Sequence, residues 1–141
     1  MKVLPWAEFR SDLPDDQIED VEDIIQFGGK SVIAAIGEML TRCGCEVSEP
    51  IYADEHGWEL DVKAGRRNLW CQVTLIENYL LHFDQNSWFA NTFGRYRPEY
   101  IDVLTRLAAE LQSDPRFHDV QWYSGAELHS GEPGSTTPIL D

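Results

Sequence analysis

The sequence has few basic residues, few cysteines and no long apolar run. Its 11 lysines and arginines stand against 25 aspartates and glutamates, which gives a formal net charge of -14 at pH 7. Such a charge repels phosphates, whereas direct binding to nucleic acid needs a basic surface. No apolar stretch approaches the roughly 20 residues that a membrane-spanning helix requires. We therefore expect binding neither to nucleic acid nor to a membrane, and a basic protein as the natural partner.

The cysteines favour a reduced protein without a metal. There are three, and an odd number does not suggest a disulfide framework. The pair Cys43 and Cys45 is too closely spaced for a structural zinc site by itself, and Cys43 and Cys71 fall on apolar faces of predicted elements. No long apolar run follows Lys2, so we see no signal peptide. We expect a cytoplasmic location, free thiols, no metal and no cofactor.

The length of 141 residues, with 43% apolar residues and five tryptophans, is typical of one folded domain. We place that domain at residues 1–123. Residues 124–141 are rich in glycine, serine, proline and threonine, which predicts a surface tail. Ile139 and Leu140 are the residues of this tail that can dock on the domain.

The clearest structural signal lies between Gly57 and Asp84. Three runs alternate apolar and polar residues, at 58–63, 69–75 and 79–84. A period of two predicts strands with one face on a core. Gly65, between the first two runs, suits a short hairpin turn.

Apolar residues at helical spacing predict three helices, at about 12–28, 31–43 and 98–112. Further strands are expected at 45–53, where Pro50 indicates an edge or a bulge, and at 117–123. The order is then helix, helix, four strands, helix and strand. It predicts an α+β two-layer sandwich, in which one mostly antiparallel sheet of about five strands carries helices packed on one face.

The first predicted helix carries the main functional signal. Seven carboxylates and no lysine or arginine lie between Asp12 and Asp23. Like charges one helical turn apart each cost roughly 0.2–0.5 kcal/mol, so an ordinary solvated face would mix the two signs. Ile18, Val21 and Ile25 would form the buried side. The predicted partner-binding carboxylates are Asp15, Asp16, Glu19, Asp20, Glu22 and Asp23.

A second signal is the aromatic segment at 85–96. Tryptophan and tyrosine are favoured anchors of protein interfaces, and two arginines lie close by. We add Trp88 and Phe89 to the predicted partner-binding residues. The alternative is that these rings close the end of the core.

No catalytic residue is predicted. The segment Phe27-Gly28-Gly29-Lys30-Ser31 looks like the end of a phosphate-binding loop, but Ile24 stands where that motif needs a glycine. Cysteine–histidine catalysis would pair Cys71 or Cys45 with His82 or His118, oriented by Asp84 or Asp119, and no local signature supports a pairing. The carboxylates of Glu59 and Asp61 share a strand face, as chance alone allows in so acidic a chain.

In size, acidity and lack of a catalytic signature the whole chain is similar to bacterial immunity proteins, which neutralise toxin domains. This is a likeness of general character without a motif. It implies a non-enzymatic inhibitor, monomeric or homodimeric, that covers a basic cleft of a toxin. One alternative is an acidic secretion chaperone for an effector, although four strands before the last helix depart from the helix, three strands, helix layout of that class. A second alternative is a small-molecule-binding domain or an enzyme of unknown reaction.

Overall fold

The computed structural model describes the backbone of residues 1–141 and every side chain except those of Trp88 and Phe89. The protein is an α+β structure with three α-helices and mostly antiparallel sheets. The helices are α1 (Lys30–Arg42), α2 (Trp88–Thr92) and α3 (Pro98–Ser113). The strands are β1 (Lys2–Val3), β2 (Trp6–Ser11), β3 (Ile18–Glu19), β4 (Ile24–Gln26), β5 (Glu46–Val47), β6 (Ile51–Tyr52), β7 (Trp58–Ala64), β8 (Arg67–Leu75), β9 (Tyr79–Gln85), β10 (Phe117–Tyr123) and β11 (Ile139–Leu140).

The main sheet has seven strands in the order β10-β2-β9-β8-β7, with β5 and β6 both paired to the outer edge of β7. The three strands predicted at its centre are confirmed, and two hairpins connect them. Gly65 lies in the first of these turns with a φ of 61°, the left-handed region that suits glycine. Leu60, Cys71 and Phe83 stand opposite one another across the three strands and form one buried row.

The sheet is wider than the expected five strands for two reasons. The predicted strand at 45–53 is divided around Pro50 into β5 and β6, because proline cannot donate to a ladder. Strand β2 was not predicted, and it lies between β9 and β10. Its apolar residues Trp6 and Phe9 are three apart and point to opposite faces, so they do not mark a strand by themselves.

Helices α1 and α3 pack on one face of the main sheet and against each other. Their apolar stripes are buried as predicted, from Val32 to Leu40 in α1 and from Leu104 to Leu111 in α3. Both stripes recur at three-and-four spacing, which places one side of each helix on the core. Within the described part of the chain, none of the helices has both the length and the apolar character to cross a membrane.

The first predicted helix is wrong. Residues 12–28 form an irregular loop that contains the small hairpin of β3 and β4. The extended backbone spreads carboxylates that a helix would have stacked one turn apart, and β-branched residues such as Ile24 and Ile25 favour it.

The C-terminal segment returns to the domain. Strand β11 pairs with β1, Ser135 bridges Trp122 of β10, and Lys2 forms an ion pair with Glu127 at 3.1 Å. Ile139 and Leu140 are thereby packed against the core.

Candidate functional site: an acidic hairpin

The candidate site is the acidic hairpin, defined here as residues 15–27. Its two short strands are joined by a turn over 20–23, which the Asp20 side chain organises. Asp20 Oδ1 accepts hydrogen bonds from the backbone N–H groups of Glu22, at 2.9 Å, and Asp23, at 2.8 Å. These bonds stabilise the ionised form and lower the pKa of the Asp20 carboxyl. The Asp20 carboxylate therefore both shapes the turn and contributes to its negative charge.

The base of the hairpin is fixed by backbone contacts. Gly29 N–H donates to the Asp15 carbonyl at 2.8 Å, and the Gln26 amide donates to the Asp16 carbonyl, also at 2.8 Å. A Cβ on Gly28 would lie 2.6 Å from the Asp15 carbonyl oxygen, so only glycine permits this approach. The contacts close residues 15–29 into a loop whose position relative to α1 is defined.

A third contact joins the hairpin to helix α1. Asp16 Oδ2 accepts a hydrogen bond of 2.7 Å from the backbone N–H of Ser31, in the first turn of α1. Gly29, at the N-cap position of α1, has no side chain to cap the helix, so the carboxylate of Asp16 takes this role, where a negative charge also suits the helix dipole. The segment Gly29-Lys30-Ser31 resembles the end of a phosphate-binding loop, but the group bound at its helix start is the carboxylate of Asp16.

The cap makes a testable prediction for stability. Replacing Asp16 with alanine removes the acceptor and should lower the free energy of unfolding by about 1 kcal/mol. Asp16→Asn retains an acceptor oxygen and should lose less. Urea unfolding of both variants measures the difference, and equal losses would contradict the capping role.

Among the side chains that the structure describes, the carboxylates of the hairpin have no basic partner. Five of the six predicted binding carboxylates are exposed, and Asp16 is half-buried. None of them takes part in an ion pair with any described lysine, arginine or histidine side chain. The seventh carboxylate, Asp12, differs because it contacts His118 Nε2 at 2.8 Å. The negative potential of the hairpin is therefore directed at solvent.

Apolar side chains accompany this charge. Ile18 is 49% exposed, Ile25 is 60% exposed and Val21, in the turn, is fully exposed at 102%. They were predicted to face the core, and that is wrong because no helix forms. The sequence signal for their exposure is the turn chemistry of Asp20 next to Val21. Three large apolar side chains exposed within one short segment are a feature of interaction sites.

The predicted aromatic anchors are only partly described. Trp88 and Phe89 begin helix α2, and their side chains lie outside the described residues. Farther along this segment, Tyr96 stacks on buried Tyr100 with ring centroids 5.2 Å apart. The role of Trp88 and Phe89 in partner binding stays a prediction.

The residues considered for cysteine–histidine chemistry do not converge. Cys71 is buried on the helix-covered face of the sheet, and His82 lies on the opposite face. His82 stacks on Trp6, with centroids 3.8 Å apart, and its Nε2 is 3.0 Å from Asp84 Oδ2. This arrangement is a packed side-chain cluster on the face of the sheet opposite Cys71.

The three thiols are buried, and burial raises the pKa of Cys43, Cys45 and Cys71 because it disfavours the thiolate. A raised pKa means less thiolate at a given pH, so we expect the native protein to react with a thiol reagent at least about tenfold more slowly than the unfolded protein. Absorbance with a chromogenic disulfide measures both rates. Equal rates would contradict the burial of these side chains.

The described residues contain no group of three or more histidine, cysteine, aspartate or glutamate side chains placed to hold a metal ion. The acidic hairpin is thus distinguished by charge, exposed apolar area and fixed geometry.

No protein-family model matches the chain, and neither a curated protein nor a solved structure matches it.

Proposed function

We propose that the protein is a non-enzymatic binding protein that neutralises a basic partner, in the manner of an immunity protein against a toxin domain. The observation that supports this most strongly is the acidic hairpin, whose six carboxylates lack basic partners among the described side chains and whose base is fixed against α1. A surface already held in shape loses little conformational entropy when a partner binds. The hairpin is the part of the protein that enters the partner's basic cleft.

Charge and apolar area have separate roles in this proposal. The carboxylates attract a cationic surface over a distance and raise the association rate. Val21, Ile18 and Ile25 supply apolar area, which slows dissociation once the partner has excluded water. The partner we expect therefore has a basic cleft with an apolar recess.

The test is a comparative capture experiment. Three forms serve as bait for proteins of the source cell: the native protein, the Glu19→Lys/Glu22→Lys variant and the Glu132→Lys/Asp141→Lys variant. The two variants change the net charge equally, but only the first changes the hairpin. Quantitative mass spectrometry compares what each form retains.

The proposal expects a basic protein that the native and the Glu132→Lys/Asp141→Lys forms retain and the hairpin variant loses. The purified partner should then lose its own activity when it is mixed with the native protein. A partner that all three forms retain equally, or whose activity is unaffected, would contradict the proposal.

The apolar contribution has its own prediction. Val21→Ser leaves the fold intact because the side chain is fully exposed, and it should increase the dissociation rate by about three- to tenfold, with little change in the association rate. Ile76→Ser is the matched control, since Ile76 is 73% exposed and lies outside the hairpin. Surface plasmon resonance with the captured partner separates the two rates. The same change in both variants would argue against a specific role for Val21.

A further inference from the structure

Seven of the eight arginines of the protein fall into two groups, and Arg95 lies outside both. Arg10, Arg42, Arg106 and Arg116 each form an ion pair with a carboxylate. A second group, Arg66, Arg67 and Arg97, lines one cavity near the start of β8. Within this second group, among the described side chains, only Arg67 forms an ion pair, with Glu99 at 3.7 Å. In so acidic a chain, three arginines with one ion-paired carboxylate between them form an exceptional surface.

This arginine cavity has a volume of about 220 Å³. Its polar wall adds Asn68, Asn86 and Ser87 to the three arginines, and Leu69 and Ala90 are buried at its floor. The Ser87 hydroxyl oxygen accepts the N–H of Ala90 at 3.3 Å, which leaves the hydroxyl proton available to a ligand. Every polar side chain named here can donate a hydrogen bond, and none of them carries a negative charge.

The wall is held in place by Gln85, a buried residue at the end of β9. Its Nε2 donates to the Arg95 carbonyl at 2.7 Å, and its Oε1 accepts the backbone N–H of Arg97 at 3.1 Å. Asn86 N–H donates to the Asn68 carbonyl at 2.9 Å and continues the β8–β9 ladder into the cavity. The backbone that carries these donors is therefore fixed before a ligand arrives, which lowers part of the entropic cost of binding.

The acidic hairpin does not neutralise this cavity. The hairpin lies near Leu75, the last residue of β8, and the cavity lies at Arg67, the first. The nine residues of β8 separate them by roughly 27 Å, whereas the screening length is roughly 8 Å at physiological ionic strength. The positive end of the α3 dipole adds to the field, because Arg97 directly precedes that helix.

We propose that the arginine cavity binds the phosphate group of a small phosphorylated molecule. Guanidinium groups contact phosphate oxygens bidentately, and three of them with three neutral donors exceed what one carboxylate, with about four acceptor positions, can use. A phosphate offers more acceptor positions and carries a charge of roughly -1.5 to -2. This site is separate from the hairpin, so it does not depend on the proposed partner.

Calorimetric titration with inorganic phosphate, at constant ionic strength in a chloride buffer, tests the assignment. The native protein is compared with Arg66→Gln/Arg97→Gln and with Arg10→Gln/Lys30→Gln, a control that loses the same charge elsewhere. All altered side chains are exposed, so circular dichroism should show the same fold. Sodium acetate serves as the carboxylate comparison.

We expect one saturable phosphate site whose affinity falls at least about tenfold in Arg66→Gln/Arg97→Gln and stays within about twofold of native in the control. Amide resonances of residues 66–68 and 85–97 should shift on titration. Absence of saturable binding, equal affinity in both variants, or acetate binding as tight as phosphate would overturn the proposal.

Discussion

The Glu19→Lys/Glu22→Lys variant should associate with the captured partner at least about tenfold more slowly than the native protein at low salt. Electrostatic steering changes association rates by roughly 10- to 1000-fold, and this substitution reverses charge at the centre of the proposed contact. Neither side chain anchors the hairpin: Glu22 contributes only its backbone N–H to the turn, and Glu19 accepts from the Gln17 amide at the surface. Stopped-flow mixing at several salt concentrations measures the rate and its salt dependence.

The salt dependence separates a local effect from a general one. The Glu132→Lys/Asp141→Lys variant has the same net charge, yet its association rate should remain within about threefold of native, because interactions beyond roughly 8 Å are screened. The native rate should fall steeply as salt increases, and the rate of the hairpin variant should fall little. If both variants slow equally, the overall charge steers association and the hairpin has no particular role.

Gly57→Ala should be the most destabilising single substitution considered in this structure, costing about 3 kcal/mol or more of the free energy of unfolding. A Cβ at this position would lie 2.1 Å from the Val73 carbonyl oxygen and 3.1 Å from the Thr74 Cα. Both are backbone atoms of the central strand β8 and cannot move without breaking its ladder. Its backbone, with φ 88° and ψ -120°, lies in a region that is essentially restricted to glycine, which adds about 1–3 kcal/mol for a residue with a side chain. Such a loss is a large part of a typical stability of roughly 5–15 kcal/mol.

Gly44→Ala provides the matched control. Gly44 also has a φ of 88°, but a Cβ there meets no atom within 4 Å. This variant should lose only the conformational part, about 1–2 kcal/mol. Thermal and urea unfolding of the two variants measure the difference, which contains the steric clash of Gly57 together with its glycine-restricted ψ of -120°. Similar losses in both would contradict the close approach of Gly57 to β8.

The sequence predicts those elements whose pattern is decided locally. The alternation in β7, β8 and β9 and the apolar stripes of α1 and α3 reflect one buried face each, and the structure agrees at every one of these elements. Strand β2 was not predicted because Ala7, one of its core residues, is small, and its neighbour Trp6 lies on the face of the sheet away from the core. Its place between β9 and β10 depends on contacts far apart in sequence, which no local pattern records.

The acidic hairpin shows how long-range contacts can override helical periodicity. Ile18, Val21 and Ile25 are spaced as in a helix, but the backbone is held extended by contacts of Asp15 and Asp16 with the residues that begin α1. A helix would have placed like charges one turn apart, and this repulsion was the indication in the sequence against a helix. The composition of the site was therefore predictable, and its conformation and exposed apolar side chains were not.

The arginine cavity illustrates the other limit of local patterns. Arg66 and Arg67 are adjacent in sequence, but Arg97 reaches them only because Gln85 holds its backbone against the end of β9. A net charge of -14 also conceals one basic cavity, because composition averages over the whole surface.

The most direct test of the proposed function is an amide correlation spectrum of the isotopically labelled protein, recorded as the captured partner is added. The account predicts that resonances of residues 17–27 shift or broaden first and most strongly, while those of the open sheet face around His82 change little. Perturbations confined to the open face, with the hairpin unchanged, would contradict the assignment of the acidic hairpin as the binding surface.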